Sequence, residues 1–194
     1  MKRLGLSLFP ILAIALVLSI ASGSALAQNV GDNSVYFTTY YSNANTTSAP
    51  DATVRIINDG DTGGTLWAAF YVFDDSQELT ECCACGITPD GLLSESVNKN
   101  LTANPLTGRL STRGVIKVIS SSTSDPTNTK PTPGLRAWAT HTQDCPKPTY
   151  YVTETPFADG NLSGSEQTLL QQLCYFDKLL SGKPCSCTPE DHDF

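Results

Sequence analysis

Apolar positions recur along this chain with two periods, and the change from one to the other separates a long β-rich stretch from a single C-terminal helix. Residues 34–41 (SVYFTTYY) and 52–58 (ATVRIIN) are short runs of aromatic and β-branched residues between polar loops, which predicts strands. Residues 65–74 (TLWAAFYVFD) alternate as well, with Leu66, Ala68, Phe70 and Val72 on one face and Trp67, Ala69, Tyr71 and Phe73 on the other. Both faces are apolar, so this run is expected in the middle of the structure, covered on two sides. The glycine- and aspartate-rich residues 58–64 between the second and third runs predict a hairpin. Further strands are expected at 92–97, 114–120, 135–140 and 150–155, set off by turn formers such as Pro89-Asp90-Gly91.

The period lengthens after residue 163. Ser163 and Glu166 have capping-box spacing, and Leu169, Leu173, Phe176 and Leu180 follow at helical intervals until Gly182 and Pro184 stop the run. The spacing predicts a helix over 163–181 whose leucine stripe docks on a sheet face, with Cys174 beside it. Residues 120–134 have no apolar side chain beyond three prolines, which predicts a mobile surface loop open to proteases. The fold class expected is therefore mainly β: an antiparallel β-sandwich of about seven strands with one C-terminal helix packed on it.

Residues 1–27 change the picture of where this domain works. Lys2 and Arg3 precede an apolar run over 4–20, and Ala25-Leu26-Ala27 offers small residues for cleavage, so a signal peptide is expected, with Gln28 first in the mature chain. The alternative is an uncleaved anchor, for which the run is near the lower length limit. Cleavage leaves 167 residues as one domain, 28–194, with 10 basic against 19 acidic residues and a formal charge of −9. That charge repels phosphate backbones and argues against a nucleic-acid partner. No stable membrane insertion is expected after cleavage.

Seven cysteines in an exported chain point to disulfides. Pairing inside either cluster is geometrically poor, because bonded residues need close, facing Cβ atoms. Cys82, Cys83 and Cys85 are therefore expected to pair with Cys174, Cys185 and Cys187. Cys145 is the candidate free thiol.

The stretch 71–108 carries Y-V-F-D-D-S-Q-E-L-T-E-C-C-A-C-G-I-T-P-D-G-L-L-S-E-S-V-N and then L-T-A-N-P-L-T-G. Together with V-T-E-T-P-F at 152–157, the helix bearing Cys174 and the closing Cys-Ser-Cys, it resembles a group of uncharacterised exported proteins of environmental bacteria. The resemblance implies a shared fold and cysteine framework, and it carries no activity.

Other residues offer chemistry of lower specificity. The two cysteine clusters have soft donors for copper(I) or zinc, but neither has the C-x-x-C spacing of a zinc ribbon, and oxidation competes in an exporting compartment. Asp59 and Asp61 sit in a glycine-rich turn that departs from the calcium-loop pattern, and the acidic residues 74–81 read as solvated strand ends. His141 near Asp144 and Cys145 admits a hydrolase-type reading, although an exposed loop is the simpler account, and His192 lies in a charged tail. Three Asn-x-Ser/Thr sequons, at Asn45, Asn100 and Asn161, are read as surface loops. The function expected is a non-enzymatic structural or recognition domain of the envelope or extracellular space, with no cofactor and an unidentified envelope or extracellular partner. Metal handling through thiolates and hydrolysis through His141 are the alternatives.

Overall fold

The computed structural model describes residues 33–144, 149–181 and 187. Its nine strands are β1 (Tyr36–Tyr41), β2 (Thr53–Asn58), β3 (Leu66–Asp74), β4 (Leu79–Ile87), β5 (Leu92–Ser96), β6 (Gly114–Ser121), β7 (Leu135–Asp144), β8 (Tyr150–Pro156) and β9 (Ala158–Asp159). They form two antiparallel sheets, ordered β4-β3-β6-β1-β9 and β5-β2-β7-β8. One helix follows, α1 (Gly164–Ser181). No described helix is long and apolar enough to cross a membrane.

Alternation along the strands sorts side chains into two apolar layers. Between the sheets, Phe37, Phe70, Val72, Ile116 and Val118 meet Val54, Ile56, Leu135, Ala137 and Ala139. On the outer face of the five-stranded sheet, Tyr36, Ala69, Tyr71, Cys82 and Ile119 meet Leu170 and Cys174 of α1. This explains why β3 is apolar on both faces: one face enters the sandwich and the other lies under the helix. It is paired along both edges, to β4 and β6.

Four sequence expectations change. The turn over 58–64 does not close a hairpin, because β2 and β3 belong to different sheets, and β2 pairs instead with β5 and β7. Turn formers serve equally well at a corner between sheets, and here the Asn58 amide fixes that corner by donating to Gly64 O and Ile87 O. Strands β4 and β9 add two to the expected seven. Residues 120–134 are also not an unanchored loop: Ser120 and Ser121 are buried in β6, and Thr132 N and Ser122 N return bonds to Ser120 O and Lys130 O. Tyr71 OH donates to Pro126 O at 2.6 Å, while Gln167 and Gln171 of α1 both reach Thr129. Polar groups anchor this segment where apolar ones are lacking. Tyr71→Phe is expected to cost about 1–2 kcal/mol by orphaning that carbonyl, read as a lower denaturant midpoint.

The fourth change concerns α1. Its docked seam is Leu170, Cys174 and Asp177, whereas Leu169, Phe176 and Leu180 of the expected stripe face outward. The disulfide from Cys174 to β4 sets the rotation of the helix, which leucine spacing alone does not. The cap is also only half a capping box. Ser163 Oγ accepts from Glu166 N, but the Glu166 carboxylate accepts from Tyr36 OH at 3.0 Å and Lys117 Nζ at 2.6 Å. Burial opposes ionisation of Glu166, yet these two donors hold its carboxyl below the usual range. Ser163→Ala is expected to cost about 1 kcal/mol through the lost cap, with Asn161→Ala nearly neutral, as read from denaturant titrations.

Candidate functional site: the cysteine strand and its helix

Strand β4 was missed in the sequence, and it explains the cysteine spacing. Successive residues of a strand point to opposite faces, so adjacent Cys82 and Cys83 diverge while Cys83 and Cys85 converge. Cys82 faces the helix and bonds Cys174, with Cα atoms 5.7 Å apart across 92 residues of sequence. Cys85 faces the sandwich and bonds Cys187, with Cα atoms 5.5 Å apart across 102 residues. Cys83 is disulfide-bonded as well. The strand is thus fixed to the C-terminal region through both of its faces. The expected roles of Cys145 and Cys185, and of His192 and the leader 1–27, fall outside the described residues.

Carboxyl groups surround these bonds. Glu81 is 4% exposed, Glu95 1% and Asp177 5%, so the acidic stretch ending at Glu81 is not wholly a solvated strand end. Asp75 and Glu78 do remain exposed. Asp177 Oδ2 lies 3.8 Å from Cys82 Sγ, and Glu95 Oε1 lies 3.7 Å from Cys85 Sγ. An oxidised sulfur has no proton to donate, so these are packing contacts. Burial pushes the Glu81 carboxyl up to about 7; the Ala103 N–H bond opposes this, and nearby Asp177 and Glu95 add to it. Burial raises Asp177 too. Reactive cysteines require electropositive surroundings that stabilise a thiolate. The carboxyl groups beside these sulfurs supply no positive charge of that kind.

The metal reading has one geometric support. The Sγ atoms of Cys83, Cys85 and Cys187 lie within 4.8 Å of one another. All three sulfurs are in disulfides, and only their reduced forms offer the thiolates that copper(I) or zinc prefers. Asp59 of the glycine-rich turn is instead paired with Arg136 at 3.3 Å.

His141 is not in an exposed loop. It lies in β7, 3% exposed, with Nε2 2.8 Å from Thr155 Oγ1 and its ring stacked on Tyr40 at 4.3 Å. Burial pushes its pKa down, which keeps the imidazole neutral. Asp144 is three positions along the same strand and so points to the opposite face, at an exposed end. The two do not form a dyad. Among the sequons, the side-chain amides of Asn45 and Asn100 are engaged, by Thr102 and Ser111 and by Glu95 respectively, while Asn161 is exposed.

No family model, curated protein or solved structure matches the chain. A functional reading therefore rests on the residues themselves, and the feature that the sequence did not disclose is the outer side of α1. Leu169, Tyr175, Phe176, Leu179 and Leu180 are between 50% and 71% exposed there. A shallow groove runs beside them, between the helix and Thr127. A helix apolar on both sides is normally covered on both. The only sequence signal for this was the leucine stripe itself, which marks an apolar face without saying what covers it.

Proposed function

We propose that this chain is an exported, non-enzymatic structural or recognition domain that works by contact, through the outer face of α1. The observation that carries this reading is the Cys82–Cys174 bond, which fixes the helix on the sheet so that five large apolar side chains are held toward solvent. Disulfides form and persist in exporting compartments, and the resemblance to exported bacterial proteins supports the same location. The close sulfurs of Cys83, Cys85 and Cys187 favour metal handling as the second reading.

Two measurements separate these readings. A photoreactive phenylalanine analogue replacing Phe176, in cells exporting the protein, is expected to give discrete higher-mass adducts, whereas the same residue at exposed Asp61 is not. Absence of adducts at position 176 overturns the contact reading. Intact mass of the exported chain is expected to begin at Gln28, to rise by two hydrogens per disulfide on reduction, and to include no metal. A reduced chain loaded with copper or zinc installs the metal-handling reading in its place.

A further inference from the structure

We infer that the inner face of β4 is a redox-gated zinc site: once its disulfides are reduced, Cys83, Cys85 and Cys187 hold one Zn²⁺ together with the Glu95 carboxylate. The inference goes beyond the contact reading and stands apart from it, since it concerns the reduced chain and the outer face of α1 takes no part.

The four donors come from three segments that meet at the open side of the sandwich, where β4 and β5 are the edge strands of their two sheets. Cys83 and Cys85, two positions apart on β4, point together into the core between the sheets. Glu95 of β5 is buried beside them, and Cys187 packs against the same core. Zinc takes sulfur ligands at about 2.3 Å and carboxylate oxygen at about 2.0–2.2 Å in a tetrahedron, which sets two ligand sulfurs about 3.8 Å apart and a sulfur and an oxygen about 3.6 Å apart. The three Sγ atoms lie within 4.8 Å of one another, and Glu95 Oε1 is 3.7 Å from Cys85 Sγ. The donors are already gathered around one point. Asn100 Nδ2 donates to Oε2 of Glu95 and so orients the carboxylate with Oε1 toward Cys85, as the partners of metal ligands do. A carboxylate oxygen completing three soft sulfurs selects zinc over copper(I), which thiolates alone satisfy.

The gate is thiol–disulfide exchange. A dithiol attacks the sulfur of Cys187, which is partly exposed while Cys83 and Cys85 are buried. Two electrons and two protons pass to the Cys85–Cys187 pair, and the dithiol leaves as its cyclic disulfide. A second dithiol reduces the disulfide of Cys83 in the same way. Zinc then displaces one proton from each of the three thiols to solvent. The ion keeps β4, β5 and Cys187 tied together in the state that lacks the disulfides.

The test is zinc binding to the mature domain, oxidised and after anaerobic reduction with a phosphine, read by competition against a chromophoric chelator. The oxidised domain is expected to bind no zinc, and the reduced domain one ion with a Kd of about 50 nM or tighter, as structural zinc sites do. Cys85→Ser and Glu95→Gln are expected to weaken binding by about 100-fold and about 10-fold, no less than the loss of an outer-shell partner costs. Cys82→Ala with Cys174→Ala, on the other face of β4, is expected to keep full affinity. Cobalt(II) on the reduced parent is expected to give a tetrahedral spectrum with three thiolates, a readout that does not depend on any variant folding. Weaker zinc binding by the reduced parent, zinc on the oxidised domain, four thiolates in the cobalt spectrum, Glu95→Gln without effect, or zinc lost from the double variant each overturns the inference. The adducts expected at position 176 are independent of all these results, so the contact reading stands or falls separately.

Discussion

Loss of the Cys82–Cys174 bond is expected to lower stability by about 2–4 kcal/mol and to release α1 before the strands. The bond closes 92 residues, and in the chain-entropy model a loop near that length is worth up to roughly 4.7 kcal/mol. The Cys85–Cys187 bond closes an overlapping loop of 102 residues, so once either bond is present the other constrains a much shorter effective loop. The two losses should therefore be less than additive. Replacing both partners, as Cys82→Ala with Cys174→Ala, avoids a stray thiol and isolates the outer face of β4. Leu170 is then the one fully buried apolar residue still holding the helix. Amide exchange across 164–181 should accelerate toward the rate of an unfolded chain while β3 and β6 stay protected. Unchanged protection in α1 would mean that the helix docks without its staple.

Stability is also expected to fall by about 3 kcal/mol as pH rises from about 4.5 to about 7, through Glu81 alone. Burial holds this carboxyl at about 7 in the folded protein against 4.5 in an unfolded chain. Between those values the folded state keeps a proton that the unfolded state releases, so raising the pH favours unfolding. Asp177, raised by burial, acts in the same direction. His141 acts oppositely, since its lowered pKa makes the folded state resist protonation as pH falls below 6.5. Glu81→Gln isolates one contribution. The amide oxygen still accepts from Ala103 N, so the variant should match the parent near pH 4.5 and exceed it near pH 8 by about that amount. Equal pH profiles for variant and parent would show that Glu81 is ionised and solvated in the folded state. Denaturant titrations at several pH values read this directly.

The strands that the sequence disclosed are those whose alternation is carried by β-branched and aromatic residues, such as β2, β3 and β6. Strand β4 escaped because its alternation is carried by cysteines on both faces and a glutamate, residues that do not separate into apolar and polar sides. Yet the same alternation is what sends Cys82 to the helix and Cys85 to the sandwich. The corner after Asn58 was misread because turn formers fix a change of direction and not which strands pair afterward. Strand β9, two residues long, is below what periodicity can register. In α1, leucine spacing located a genuine apolar stripe but assigned it to the wrong neighbour. The covered side is set by a cysteine, and burial of an aspartate within it runs against any hydropathy pattern. The anchoring of 120–134 was hidden for a related reason, since hydrogen bonds from Tyr71, Gln167 and Gln171 leave no apolar trace.

The central claim is that β4 is fixed to the C-terminal region through both faces, and non-reducing peptide mapping tests it most directly. Trypsin leaves Cys82, Cys83 and Cys85 on one peptide and, by cutting after Lys178, separates Cys174 from Cys187; fragmentation on each side of Cys83 and between Cys185 and Cys187 then resolves which sulfur holds which partner. The account predicts one peptide joining Cys82 to Cys174 and another chain joined through Cys85 to Cys187. Bonds confined within 82–85 or within 174–187, or free thiols at Cys82 and Cys85, would contradict it.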